Sequence, residues 1–284
     1  MHVLVFGKSG QVATELRALE SAGLIVTALS RDDADLEHPE TCLAHIANTD
    51  ADAIINAAAY TAVDVAEEDE ARATLINGET PGLMADAAAK RGLPFLHVST
   101  DYVFDGLGDQ PFCTTDRTAP VNAYGRSKLA GEEAIQSVDG QNAILRTSWV
   151  FSAHGSNFVK TMLRLSETRD ALTVVDDQIG GPTPADDIAR ALIAVARAMA
   201  NGQNGGIYHF AGHPPTSWAD LARETFRQAN RSVDVHGIPS KDYPTPAPRP
   251  LNSRLDCSGL ETDFGITTPD WKAGVTRVIK ALGI

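Results

Sequence analysis

Tyr124 and Lys128 stand four residues apart in Asn122-Ala123-Tyr124-Gly125-Arg126-Ser127-Lys128. On a helix, residues at that spacing share one face. A phenol beside an ammonium is a phenol whose proton is easier to move, because a nearby positive charge favours phenolate. Such a pair suits proton donation to a carbonyl oxygen while the carbonyl is reduced. The spacing alone is also ordinary helix decoration, so its weight comes from what stands upstream. Val98-Ser99-Thr100-Asp101 ends an apolar strand just before this helix and puts hydroxyls at the strand's C-terminal end. In open α/β sheets, ligands bind outside the carboxyl ends of the strands. Thr100 is therefore expected to face the crevice that Tyr124 reaches from the helix. Its hydroxyl can there hydrogen-bond the oxygen being reduced. A strand-end Thr that merely closes a turn is the alternative.

The second upstream feature is the turn Gly7-Lys8-Ser9-Gly10-Gln11-Val12-Ala13. It follows the apolar run Val3-Leu4-Val5-Phe6 and precedes a helical pattern with Val12, Leu16 and Leu19 on one face. Strand, glycine turn and helix in that order make the motif informative. Gly7 allows the tight turn, and Gly10 lets backbone approach a pyrophosphate at the helix N-terminus. The spacing is G-x-x-G-x-x-A, with Ala13 still small enough for close helix–strand packing. Asn56-Ala57-Ala58-Ala59-Tyr60 ends another strand with small side chains that would let a dinucleotide lie flat. Arg31 follows the second strand, where the adenosine ribose should lie, and Asp32, Asp33 and Asp35 come just after it. An Arg there pairs with a 2′-phosphate, whereas an acid selects the 2′-hydroxyl. The expected cofactor is NADPH, with NADH tolerated.

These residues need a sheet to hold them, and the chain supplies one. Apolar runs at Leu24–Leu29, Ala53–Ala58, Pro94–Ser99 and Ala143–Arg146 read as strands two to five, and Leu172–Val175 as a sixth. Helical patterns, for example 80–91 and 123–137, lie between them. This alternation implies a parallel sheet with right-handed crossovers. The expected class is α/β, a Rossmann-type doubly wound sheet with a smaller C-terminal substrate-binding part. Residues 1–170 would form the NAD(P)-binding domain, with some later segments returning to it, and 171–284 mainly the substrate-binding part. After about Asp177 the texture changes: a turn-rich Gly180–Pro184, a helix over 185–200, a strand near Gly206–Phe210, and the proline-rich stretch Tyr243–Pro250. The last cannot be regular helix. It reads equally as a clamp over a ligand or as a stiff connector, and Arg249 and Arg254 favour a role in anion binding.

The length of 284 residues suits one large α/β domain or a domain with a small cap, and 43% hydrophobic residues exclude a disordered chain. A net charge of −13 argues against a nucleic-acid partner. An anionic substrate would need a local basic pocket to overcome that field. Cys42, Cys113 and Cys257 are scattered, which fits a reducing compartment without a disulfide framework or zinc site. The chain runs straight into a strand, with no signal-peptide pattern, and no apolar run has the length of a membrane span. A cytoplasmic protein without a membrane partner is expected.

The Gly7 turn, Asn56-Ala57-Ala58-Ala59, Thr100, and Tyr124 with Lys128 together resemble the extended short-chain dehydrogenase/reductases. Four strings narrow the likeness: Gly7-Lys8-Ser9-Gly10-Gln11-Val12, Ser99-Thr100-Asp101-Tyr102-Val103-Phe104, Arg146-Thr147-Ser148-Trp149-Val150-Phe151 and Arg249-Pro250-Leu251-Asn252-Ser253. They are similar to the dTDP-4-dehydrorhamnose reductase family, and the likeness runs from residue 1 to near 280. The resemblance implies reduction of the 4-keto group of dTDP-4-dehydrorhamnose to dTDP-L-rhamnose by NADPH or NADH. It implies Tyr124 as proton donor, Lys128 as its pKa-lowering partner and holder of the nicotinamide ribose, and Thr100 as the group orienting the keto oxygen. Cofactor contacts would come from Gly7, Ser9, Gly10, Gln11, Val12, Arg31, Asp35 and Leu36, and from Ala57, Ala58, Ala59, Tyr60 and Thr61. The substrate would meet Thr100, Asp101, Tyr124, Trp149 and Arg249.

Related functions stay open on sequence. A 4,6-dehydratase needs a Glu after Thr100-Asp101, where this chain has Tyr102. An epimerase shares the fold, and so does a non-catalytic regulatory subunit of the methionine adenosyltransferase β type. Some family members form a dimer bridged by Mg2+ through acidic side chains. Glu15 and Asp186 fall where such ligands could lie, but the tail Ile279–Ile284 offers no carboxylate side chain. No metal is assigned, and a homodimer stays open.

Overall fold

The computed structural model describes residues 1–284. Six parallel strands form the central sheet, in the spatial order Ile207–His209, Asn142–Thr147, Phe95–Thr100, Ala53–Asn56, His2–Phe6, Ile25–Leu29. The chain leaves His2–Phe6 in one direction to reach Ile25–Leu29, then returns to its other side at Ala53–Asn56. The strand order therefore reverses beside His2–Phe6, which puts a ligand crevice at the carboxyl ends of those strands. Alternate residues of each strand feed two cores. Val3, Val5, Ile55, Leu96 and Leu145 pack on the helices Gln11–Ala18 and Ala185–Ala200. Leu4, Phe6, Ile54, Phe95 and Ile144 pack on Pro39–Asn48, Thr80–Lys90 and Ala123–Gln136. Burial on both faces is why the four inner strands read as mainly apolar runs.

The sixth strand differs from expectation. Ala171–Val175 does form a strand, but it pairs in parallel with Asp234–Ile238 in a sheet of its own. The sixth place in the main sheet goes to Ile207–His209, which pairs with Ile144–Arg146. The physical reason lies in burial: Val174 is the buried residue of Ala171–Val175, and it packs with Met162, Phe226 and Val235. The apolar surface of that strand is thus matched by the nearby helices Phe158–Leu165 and Trp218–Gln228, and the main sheet is not needed. A further small core gathers Phe151, Leu163, Leu221, Trp271 and Val275.

The helix Ala123–Gln136 is fixed at its start by Asn122, whose Oδ1 accepts the Gly125 N–H at 2.8 Å. Such a cap satisfies a donor that the first turn leaves free. Two glycines let this helix sit close to its neighbours. A Cβ on Gly125 would lie 2.2 Å from the Tyr102 carbonyl oxygen, and one on Gly131 2.1 Å from that of Asn77. The proline-rich stretch docks on the same helix start: the Pro248 carbonyl accepts from Asn122 Nδ2 at 2.8 Å, and Ala247 is fully buried. No helix is long and apolar enough to cross a membrane.

Candidate active site

A cleft of about 770 Å³ opens at the carboxyl ends of the strands, running from the Gly7 turn to Tyr124 and Lys128. Gly7 has φ of +104°, which favours glycine, and a Cβ there would press on the Ala57 and Ala58 backbone at 3.3 Å. Gly10, by contrast, caps Gln11–Ala18 without a side-chain hydrogen bond, and a Cβ on it would meet nothing within 4 Å. The helix N-terminus therefore faces the open cleft with bare backbone, which suits a phosphate. Ser9, Gln11, Val12 and Arg31 line this end, with Asp35 and Leu36 beside them. Ala57, Ala58, Ala59 and Thr61 form the floor. The Gln11 side chain also ties the 150–157 loop to the glycine turn. It donates to the Val150 carbonyl and accepts from Ser152 and Asn157.

Two residues expected at the site stand outside the lining. Tyr60 is clasped by the Asn77 side chain, which accepts its N–H at 2.8 Å and donates to its carbonyl at 3.0 Å. Arg249 is ion-paired with Asp64 at 2.8 Å. Arg254 likewise donates to Asn252 Oδ1 at 2.9 Å. The basic groups of the proline-rich region are thus engaged in fixing that region.

Thr100, Asp101, Tyr124 and Lys128 come together at the far end of the cleft. The Thr100 hydroxyl donates to Asp101 Oδ1 at 3.0 Å and accepts the Tyr102 N–H at 3.2 Å. The Tyr124 ring packs edge-on to Tyr102 at 5.6 Å. The residue spacing predicts that Lys128 lowers the Tyr124 pKa. Instead, burial and then the Asp101 charge push Tyr124 up to about 12, with the Thr100 hydroxyl opposing them. Lys128 is turned elsewhere: its Nζ lies 2.8 Å from His97 Nε2 and donates to the Val98 carbonyl at 2.8 Å. Burial pushes Lys128 down to about 7. A group with that pKa is half neutral near pH 7 and cannot act as a fixed positive charge. Burial also pushes Asp101 up to about 6. Its Oδ2 has no partner, and the Ser253 hydroxyl nearby does not complete a hydrogen bond to it.

On another wall of the cleft, Trp149 stacks on Trp218 with centroids 3.6 Å apart and planes within 11°. Trp149 holds φ of +49°, a strained value for a large side chain. Trp218 donates its Nε1–H to Gln178 at 3.1 Å. Sequence reading missed Trp218, because nothing local marks a partner 69 residues from Trp149. It also gave no role to Lys8 and Thr147, which line the cleft, or to His97, hidden inside an apolar strand. Outside the cleft, Glu15 and Asp186 are near enough for Asp186 to raise the Glu15 pKa, after burial as the main cause. Asp186 is ion-paired with Arg277 at 2.9 Å and Arg190 at 3.6 Å.

Comparison with known proteins gives consistent results. A family model described as "RmlD substrate binding domain" matches residues 1–284. The dTDP-4-dehydrorhamnose reductase of Sinorhizobium fredii is 45% identical over 289 residues, covering 99% of this chain and 98% of the relative. A solved dTDP-4-dehydrorhamnose reductase from Clostridium acetobutylicum superposes with a TM-score of 0.94 at 35% identity, covering 100% of both chains. One from Bacillus anthracis, solved in complex with NADP, gives a TM-score of 0.92 at 30% identity, covering 99% of both.

Proposed function

The chain belongs to the RmlD substrate binding domain family, and from this premise we propose that it reduces dTDP-4-dehydrorhamnose to dTDP-L-rhamnose with NADPH, tolerating NADH. The observation that carries the reading is the cleft itself, which joins a bare glycine-turned helix N-terminus to the Thr100 and Tyr124 hydroxyls. Gly7, Gly10 and the alanine floor fit a dinucleotide, since they leave backbone and open space where side chains would otherwise intrude. Arg31, exposed at the adenosine end, suits a 2′-phosphate. When bound, the nicotinamide supplies the hydride for the sugar C4 ketone.

The remaining chemistry belongs to the protein. Tyr124 donates its proton to the oxygen that becomes the C4 hydroxyl. Its high pKa is compatible with proton donation, because the phenol stays protonated at neutral pH and a developing alkoxide is far more basic than a phenolate. Thr100 orients the ketone oxygen toward Tyr124. Lys128, one turn along the same helix, holds the ribose side and supplies positive charge when protonated. Asp101 and Trp149 receive the sugar, and Trp218 backs Trp149. In this reading residues 1–170, with the returning helix Ala185–Ala200 and strand Ile207–His209, bind the dinucleotide, and most of 171–284 serves the nucleotide sugar. The place of action is the cytoplasm. The test is NADPH oxidation over a panel of dTDP-, UDP- and GDP-linked 4-keto sugars. Turnover fastest with dTDP-4-dehydrorhamnose is expected, and no NADPH oxidation with any member would refute the reading.

A further inference from the structure

His97 lies in the strand Phe95–Thr100, fully buried, and no step above uses it. Both ring nitrogens are engaged: Nδ1 lies 3.1 Å from Asn56 Nδ2, and Nε2 lies 2.8 Å from Lys128 Nζ. The direction of these bonds is fixed from the far end. The Ala58 N–H donates to Asn56 Oδ1 at 3.1 Å. A backbone N–H cannot bond an amide nitrogen, so the Asn56 NH₂ faces the imidazole. His97 Nδ1 must then accept, and the neutral ring carries its proton on Nε2, aimed at Lys128. An ammonium has three donors and no acceptor, whereas a neutral amine has a lone pair to receive that proton. The amine still donates to the Val98 carbonyl at 2.8 Å. One donor direction thus runs from Ala58 through Asn56, His97 and Lys128 to Val98.

We propose that Asn56 and His97 are positioning residues that hold Lys128 as a neutral amine. Adding one proton from solvent to Nζ sets two donors against each other across the His97–Lys128 contact. Lys128 becomes an ammonium only when the His97 ring gives up its bond from Asn56. The surrounding charges do not reverse this. Glu132, one turn beyond Lys128, is the attracting anion, but it is paired with Arg146 of the neighbouring strand. His209, beside Arg146, is pushed down to about 4 by burial and then by Arg146, and is neutral. Tyr124 and Asp101 stand on the cleft side, and the strand Ala53–Asn56 brings no charge. Burial acts in the same sense as the hydrogen bonds, lowering both Lys128 and His97.

Neutron diffraction from the fully deuterated protein at pD 9 reads the chain directly. Deuterium on His97 Nε2, none on Nδ1, and two on Lys128 Nζ are expected. Deuterium on Nδ1, or three on Nζ, overturns the proposal. A kinetic arm reverses the polarity. In Asn56→Asp, the carboxylate still accepts from Ala58 but now also accepts from His97 Nδ1, so Nε2 becomes an acceptor for an ammonium. The alkaline limb of the kcat/KM profile should move up by about one pH unit, a tenfold change in proton affinity. Asn56→Ser, which leaves the polarity free, should move it less. A folded Asn56→Asp enzyme whose limb stays put counts against the proposal, since loss of packing alone lowers rate without moving the limb. The kinetic arm rests on the reductase reading and on Lys128's part in it; the neutron arm does not, so the two can fail separately.

Discussion

Glu132 and Arg146 form a buried ion pair behind the Tyr124–Lys128 face, and breaking it is the sharpest test of how that face is held. Glu132 is fully buried and Arg146 is 2% exposed. The guanidinium Nε lies 3.0 and 3.1 Å from the two carboxylate oxygens, and Nη2 lies 2.6 Å from Oε2. At such a separation and an effective dielectric near 20, the gross attraction is about 5–6 kcal/mol. Desolvation costs several kcal/mol for each ion. The pair therefore contributes little net stability, yet it is costly to halve. Glu132→Ala leaves a buried guanidinium beside His209 at 3.4 Å and the Phe104 ring at 5.0 Å, and neither replaces a carboxylate. The expected loss is about 3–5 kcal/mol, a large share of a total on the order of 5–15 kcal/mol. Urea unfolding at pH 7.5 measures it. The double variant Glu132→Leu with Arg146→Met should recover most of the loss, because no unpaired charge remains. A single variant that loses less than about 1 kcal/mol would mean that water or a rearranged anion meets Arg146. A double variant as unstable as the single would mean that packing, and not charge, sets the cost.

Three further outcomes follow from the cleft. Tyr124→Phe should keep the fold and NADPH affinity but lower kcat on the order of 100- to 10,000-fold, with Thr100→Val lowering it less; single-turnover NADPH oxidation checks both, and a folded Tyr124→Phe enzyme at wild-type rate would remove Tyr124 as the acid. Arg31→Ala should weaken NADPH more than NADH in fluorescence titration, and an unchanged affinity ratio would take the 2′-phosphate away from Arg31. Burial raises Asp101 to about 6 in the folded protein, so between the unfolded carboxylate value near 4 and about 6 the native state binds the extra proton. Stability should therefore fall as pH rises through that window, and Asp101→Asn should remove the slope, gaining about 2–3 kcal/mol at pH 7.5 relative to pH 4. Urea unfolding of both proteins at the two pH values decides it, and an equal difference at both would show that Asp101 titrates normally.

The sequence by itself determined the sheet strands, the glycine turn and the shared face of Tyr124 and Lys128. Each of these is local. A strand buried on both faces is apolar over most of its length, a turn held at a φ such as that of Gly7 favours glycine, and residues four apart on a helix share one face whatever the rest of the chain does. Tertiary structure decided what lies across long separations. It gave the sixth place in the sheet to Ile207–His209, because Ala171–Val175 found its apolar partners in a separate layer. It stacked Trp218 on Trp149 and paired Arg249 with Asp64. It also turned Lys128 toward His97, 31 residues back, and raised the Tyr124 pKa where spacing predicted a fall. The helix register fixes only that Tyr124 and Lys128 are neighbours. Whether a neighbour carries its charge depends on burial and on the direction of each hydrogen bond around it, and both are set by strands brought together from distant parts of the chain.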